Sequence, residues 1–286
     1  MLSAARFVVD NGNATLDLPG LDVFWSPQNN SSAGDVTLGQ IESTLFTTDG
    51  PAPGIYVLGD ENVDTDEYDQ HVLAHEFQHF LEYSISRSES PGGPHSPNDR
   101  LDLRVAFSEG FANAFSAMVL NDPLYSDSLG SQQSRRFSFS MESNVTSPAG
   151  WYNEASIQSV TWDLFDAAVD AEADSIALGY KPLYEALTGR FRTGPALTSV
   201  YPFVIDLKGR AGAPVAAIDA LVTSQSIHVT DEWGTNETND GSVQQALPLY
   251  ARLTLNGGVK SVCGTTLVGT YNKIGNRSFL RFSITA

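Results

Sequence analysis

The sequence predicts an α+β fold, and three observations carry that expectation. The first sixty residues are short apolar stretches broken by turn-rich segments. From about residue 65 to 224 the text is dominated by helical patterns, and after residue 240 it returns to alternating, β-branched segments. A chain of 286 residues can bury a sizeable core. The change of character divides it into a main unit, 1–228, and a C-terminal β-rich unit, 229–286.

Between Ala14 and Gly59, LDVFW and GIYVLG are separated by SPQNNSSAGD and TTDGPAPG, which read as loops. A small sheet follows from this, with Gly54–Leu58 its clearest strand. In GDENVDTDEYDQHV, Asp64 lies three residues before Glu67, which predicts an N-cap and acidic first turn for a helix from about Thr65 to Ser86. A Pro/Gly/Ser loop occupies 86–100. After it LRVAFSEGFANAFSAMVLND is apolar nearly all round, as a central buried helix is.

Residues 122–150 read as irregular and exposed. The run ASIQSVTWDLFDAAVDAEA spaces Ile157, Val160, Leu164, Phe165 and Ala168 helically. Further helices fit Lys181–Arg190, Val200–Lys208 and Pro214–Ser224. The tail segments LYARLTLNG, KSVCGTTLVG and RSFLRFSIT read as strands.

Composition excludes several function classes. With 34 acidic and 16 basic residues the formal charge is −18, which disfavours a nucleic-acid backbone or an anionic membrane surface as partner. The single cysteine, Cys263, excludes an intrachain disulfide and a thiolate-rich metal site, so any metal must use histidine and carboxylate. No run reaches the roughly 18–20 apolar residues of a membrane span. MLSAARFVVDNGNATLDL lacks the basic start and apolar stretch of a signal peptide. Abundant Asn, Ser, Thr and Gly with only four lysines lean towards an extracytoplasmic or secreted protein whose leader is not in this sequence. No coiled-coil pattern or long apolar strip is present, and oligomeric state stays open.

The chemistry concentrates in HEFQH, residues 75–79. Side chains four apart on a helix are separated by about 40° of rotation and roughly 6 Å, so His75 and His79 can converge on one ion. Glu76 sits about 100° round, within reach of a metal-bound water. A catalytic zinc needs a third protein ligand and an open position. The metzincin pattern would place a glycine and a histidine where Glu82 and Ile85 stand, which excludes it. His95 lies in GGPHSP, a flexible loop and a poor place to hold a ligand. Glu109, in FSEGFANAF, is surrounded by Phe107, Phe111, Ala112, Ala114 and Phe115. A carboxylate there is costly to desolvate unless a cation compensates it. Pairing with Arg104, or an outward polar stripe, is the structural alternative.

His75-Glu76-Phe77-Gln78-His79 followed by Ser108-Glu109-Gly110-Phe111-Ala112, between Asp66 and Leu120, resembles the gluzincin metallopeptidases, the group of thermolysin-like endopeptidases and zinc aminopeptidases. The resemblance implies a zincin-like fold with a small N-terminal sheet, a mainly helical second half and the short β tail. It implies Zn2+ held by His75, His79 and Glu109, with Glu76 as general base, and hydrolysis of peptide bonds in a peptide or protein substrate. Asn113 stands where thermolysin-like enzymes place an aspartate that orients the first histidine; its carbonyl can still accept the imidazole N–H. Tyr152, in GWYNE, is the candidate donor to the oxyanion.

Gly59-Asp60-Glu61-Asn62 is similar to the aminopeptidase segment that binds a substrate amino terminus, but lacks its methionine, which favours endopeptidase action. The acidic run Asp60, Asp64, Asp66, Glu67, Asp69 suggests calcium, yet has neither the glycine nor the final glutamate of an EF-hand; a solvated helix start explains it. His71, one turn before His75, is expected to line the cleft or pack on the sheet. GIYVLG could offer an edge to an extended peptide. The rival function is a catalytically inactive zincin-like binding or adhesion protein whose β tail contacts a polymer or surface.

Overall fold

The computed structural model describes residues 1–96, 98–143, 148–167, 175–239, 247–262 and 278–284. Within them the chain is α+β, with small sheets around a helical core. Helix α1 (Leu2–Asn11) opens the chain, a helix that the sequence reading did not anticipate. It buries Ala4 and Val8 fully and packs Phe7 edge-on against Phe115. Strands β1 (Asp22–Trp25), β2 (Leu45–Thr47) and β3 (Gly54–Val57) then form a sheet of order β1-β3-β2. β1 runs parallel to β3, pairing Phe24 with Tyr56, and β2 runs antiparallel, pairing Phe46 with Ile55. All four residues of β3 are buried, as a central strand requires. GIYVLG is therefore the middle of the sheet, and β1 and β2 are its edges.

The expected helix start at Thr65 is corrected. A short 3₁₀ turn covers Asp66–Tyr68, and α2 (Gln70–Ile85) begins after Asp69. Asp64 caps nothing. It bridges to Asp60 and to Leu129 instead. α3 (Leu103–Leu120) coincides with the apolar pattern and starts at Asp102, whose carboxylate accepts the Arg104 backbone N–H and grips its guanidinium at 2.9 Å through both oxygens. Phe107, Phe111 and Phe115 run down its buried length, and Phe107 stacks obliquely on Phe191 and Phe203.

Residues 122–150, read as irregular, contain a hairpin. β4 (Leu124–Leu129) pairs antiparallel with β5 (Arg135–Ser140), and Tyr125 stacks on Phe139 at 4.6 Å. Asp127 and Arg135 stand on the same face as Tyr125, Phe137 and Phe139, and interrupt the apolar alternation that normally reveals a strand. α4 (Glu154–Phe165) follows Asn153, whose side chain caps the Ala155 and Ser156 N–H groups. The helical half closes with α5 (Tyr180–Thr188), α6 (Arg190–Thr193), α7 (Val200–Lys208) and α8 (Val215–Ser224). In the tail β6 (Tyr250–Arg252) runs parallel to β7 (Phe279–Arg281). Leu249 and Val229 join the same buried cluster as the helices, and the Tyr250 hydroxyl accepts the Leu197 N–H. KSVCGTTLVG lies largely outside the described residues. No described helix is long and apolar enough to cross a membrane.

Helices α3 and α4 meet at Gly110. A Cβ there would lie 2.5 Å from the Glu154 carbonyl oxygen and 2.6 Å from Ile157 Cβ. Alanine gains about 1 kcal/mol of helix propensity over glycine, but overpacking costs about 1–3 kcal/mol or more when backbone must move. Gly110→Ala is expected to lower stability by about 1–2 kcal/mol in urea denaturation; an unchanged midpoint would mean the two helices do not approach this closely.

Candidate metal centre

α2 and α3 lie side by side and present His75, His79 and Glu109 to one point. His75 Nε2 lies 3.0 Å from His79 Nε2 and 3.2 Å from Glu109 Oε2, and His79 Nε2 lies 3.5 Å from that oxygen. Zinc–ligand bonds of about 2.0–2.2 Å at tetrahedral angles separate neighbouring donors by about 3.3–3.5 Å. The triangle thus has the size of one face of a zinc tetrahedron.

The rest of each imidazole is tied down. His75 Nδ1 is 2.8 Å from Asn113 Oδ1, and the Asn113 amide donates to Gln158 Oε1, which fixes the carbonyl towards the histidine. The Ser108 hydroxyl donates to Glu82 Oε2 at 2.6 Å, so its oxygen is left to accept from His79 Nδ1 at 3.2 Å. Both Nδ1 atoms then carry the proton, and both Nε2 lone pairs face Glu109. Two imidazole lone pairs and a carboxylate at these distances repel one another unless a cation sits among them. Burial works against the charged form of His79, but Glu109 and then the Glu82 and Glu76 carboxylates hold its pKa well above the ordinary value. Burial likewise opposes ionisation of Glu109, and the neighbouring His95 and His79 overcome it, keeping the carboxyl well below its usual range.

Arg104 is occupied by Asp102, so the structural alternative for Glu109 as the partner of Arg104 does not hold. Glu76 is buried beside the triangle, and its Oε2 accepts the Phe46 N–H from edge strand β2 at 2.6 Å. His71 packs on Tyr125 with Nε2 3.3 Å from the Asp122 carbonyl, outside the cleft lining.

Two placements correct the sequence reading. Tyr152 does not reach the centre. Its hydroxyl donates to the Ala149 carbonyl at 3.0 Å, Arg100 covers its ring, and it is absent from the cleft wall. The tight turn ahead of α4 points Tyr152 back towards Gly150 and sends Glu154 inwards. His95, set aside because its loop is rich in Pro and Gly, lies over the centre, with Nε2 3.3 Å from Glu109 Oε2 and 3.1 Å from Glu154 Oε2. Glu154 was missed altogether, because an acid in the first turn of a helix reads as a complement to the helix dipole. Burial pushes its carboxyl up to about 7, opposed by His95 and reinforced by the Glu109 charge.

These groups border a cleft of about 750 Å³. Residues 41–46, leading into and forming β2, make one wall. Tyr125, Asp127, Phe137 and Phe139 of the hairpin make another, and the loop from Ser88 to Ser96 closes a third.

A β-edge, a buried His/His/Glu triangle and an open cleft within an α+β framework make up the class of architecture seen here. Residues 23–188 match the family model of the Mycolysin C-terminal domain, more than half of the chain. The chain belongs to that family and is a peptidase-related protein. HEFQH, Glu109, His95 and Glu154 all fall inside the matched stretch. No curated protein matches the chain.

Tyr152→Phe is expected to lower stability by about 0.5–1.5 kcal/mol, the contribution of one hydrogen bond, and to leave any hydrolytic turnover unchanged. A large fall in turnover with intact folding would return the hydroxyl to the cleft.

Proposed function

We propose that the chain is a zinc-dependent peptidase, acting within peptide chains, with His75, His79 and Glu109 as zinc ligands and Glu76 as general base. The observation that carries this reading is the buried triangle of Nε2, Nε2 and Oε2 at 3.0, 3.2 and 3.5 Å, with both histidine tautomers set from behind. The zincin-like fold and an extracytoplasmic location belong to the same proposal.

Zinc, when bound, polarises the scissile carbonyl and lowers the pKa of water towards neutrality. Glu76, held at one oxygen by the Phe46 N–H, takes a proton from the attacking water and returns it to the leaving amine. Asn113 and the Ser108–Glu82 pair keep the imidazoles in their ligating tautomers. His95, 3.1 Å from Glu154, replaces Tyr152 as the donor to the developing oxyanion. Edge strand β2 borders the cleft, where an extended peptide can lie alongside it, and Phe137 and Phe139 offer apolar surface opposite. The imperfect Gly59–Asn62 segment, outside the cleft wall, gives no support to aminopeptidase action.

Metal analysis on protein purified without chelator, with turnover of casein and an internally quenched peptide library, tests the reading. About one zinc per chain is expected, lost in Glu109→Ala and kept in Glu76→Gln, with kcat in the latter down by about 10²–10⁴-fold. Zinc indifferent to Glu109→Ala would sink the ligand set, and full turnover in Glu76→Gln would sink the mechanism. Asn113→Ala is expected to weaken zinc about 10–100-fold in chelator competition, whereas unchanged affinity would make Asn113 a packing residue only.

A further inference from the structure

A second group of oxygen donors lines the same cleft as the histidines. Asp64 and Asp66, in the loop before α2, and Asp127, on β4, each offer one carboxylate oxygen, and the three atoms lie within 4.8 Å of one another. Asp66 is only 3% exposed. The Oδ1 atoms of Asp64, Asp66 and Asp127 are all shielded from solvent and accept no hydrogen bond. Thr44 donates to Asp66, the Thr65 N–H donates to Asp64, Asp64 and Asp66 share a hydrogen bond, and no lysine or arginine pairs with any of the three among the described residues.

Three partly buried carboxylates with orphaned oxygens and no cation are an unfavourable arrangement. Burial and mutual repulsion push Asp66 up to about 8 and Asp127 to about 7. Calcium–oxygen distances of about 2.3–2.6 Å let one ion bridge oxygens up to about 5 Å apart, and a donor set of oxygen alone suits a hard cation. The surrounding backbone is already gathered: Asp64 bridges to Leu129, the Gly130 N–H donates to the Val63 carbonyl, and Ser131 donates to Asn62.

We propose that Asp64, Asp66 and Asp127 form a calcium site that clips the loop preceding α2 to the β4–β5 hairpin. The ion neutralises the cluster and braces the cleft wall carrying Tyr125, Phe137 and Phe139. It shares no ligand with the histidine centre, although both border one cleft, and does not depend on zinc being bound there. The acidic run read as a solvated helix start is thus, in part, a ligand set completed by a residue sixty positions later.

The test uses the full chain stripped with EDTA and reloaded with one equivalent of zinc, then titrated with CaCl2 or MgCl2. Calcium is expected to bind at one ion per chain by calorimetry. At a hundredfold excess over the dissociation constant it should raise the melting temperature by about 5 °C or more and slow tryptic cleavage after Arg135 and Arg136. Asp66→Asn and Asp127→Asn are close to isosteric; each should abolish the calcium response while keeping its zinc and its circular dichroism spectrum. Asp127 is only half-buried, so its variant serves if Asp66→Asn does not fold. His75→Ala should keep the calcium response, which separates this site from the other. Absence of calcium binding in the zinc-loaded wild type, a response that survives both asparagine variants, or tighter binding of magnesium than of calcium would each overturn the proposal.

Discussion

The carboxylate of Glu109 sits on a strongly apolar helix, 7% exposed, among phenylalanines, and its histidine neighbours hold its pKa well below the usual range against the pull of burial. Burying an uncompensated charge is among the most expensive things a fold can do. The surrounding structure answers that constraint. α2 delivers two imidazoles to the carboxylate, the loop after it delivers a third in His95, and a second layer of Asn113, Gln158, Ser108 and Glu82 fixes how the first two face. None of these polar groups would be tolerated singly in such a core. Together each has a partner, which is the condition for a buried polar network to specify one arrangement.

Close approach of three helices is what lets the network stay small. Gly110 brings the first turn of α4 against α3, so that Glu154 reaches His95 while Asn113, one turn further on, reaches Gln158. The phenylalanines of α3 fill the opposite side against α6 and α7. One helix therefore carries both the hydrophobic core and the polar centre, on nearly opposite faces. Ser108, Glu109 and Asn113 are few among its Phe, Ala and Val residues, so its pattern reads as apolar all round.

The cleft depends on elements that contribute no ligand to that centre. Strand β2 is short and lies at the sheet edge, yet its Phe46 N–H is what orients Glu76. The β4–β5 hairpin belongs to neither the main sheet nor the helices. It is held by the loop before α2, by the stacking of Tyr125 on Phe139 and by Ser128 donating to Asp69. A wall built this way relies on local polar contacts more than on a deep core, and local contacts are where ions and pH act most strongly.

The sequence by itself determined the α+β class, the main helices and the central strand, because helical and alternating hydrophobic periods are local properties of the chain. It also determined the spacing of His75, Glu76 and His79, since four residues on one helix have a fixed geometry, and it singled out Glu109 by the conflict between its charge and its neighbours. Only the tertiary structure decided the rest. Which side of a turn a residue faces decided between Tyr152 and Glu154, and no local pattern encodes that. His95 was discounted for the flexibility of its loop, but its place is set by the carboxylates it meets across the fold. The hairpin was hidden by Asp127 and Arg135 among the apolar residues of one face, and GIYVLG proved central because β1 and β2 flank it. Asp127 joins Asp64 and Asp66 only through the pairing of Asp64 with Leu129, a contact between segments far apart in the chain. Periodicity and spacing are written along the sequence, whereas convergence is a property of how the elements pack.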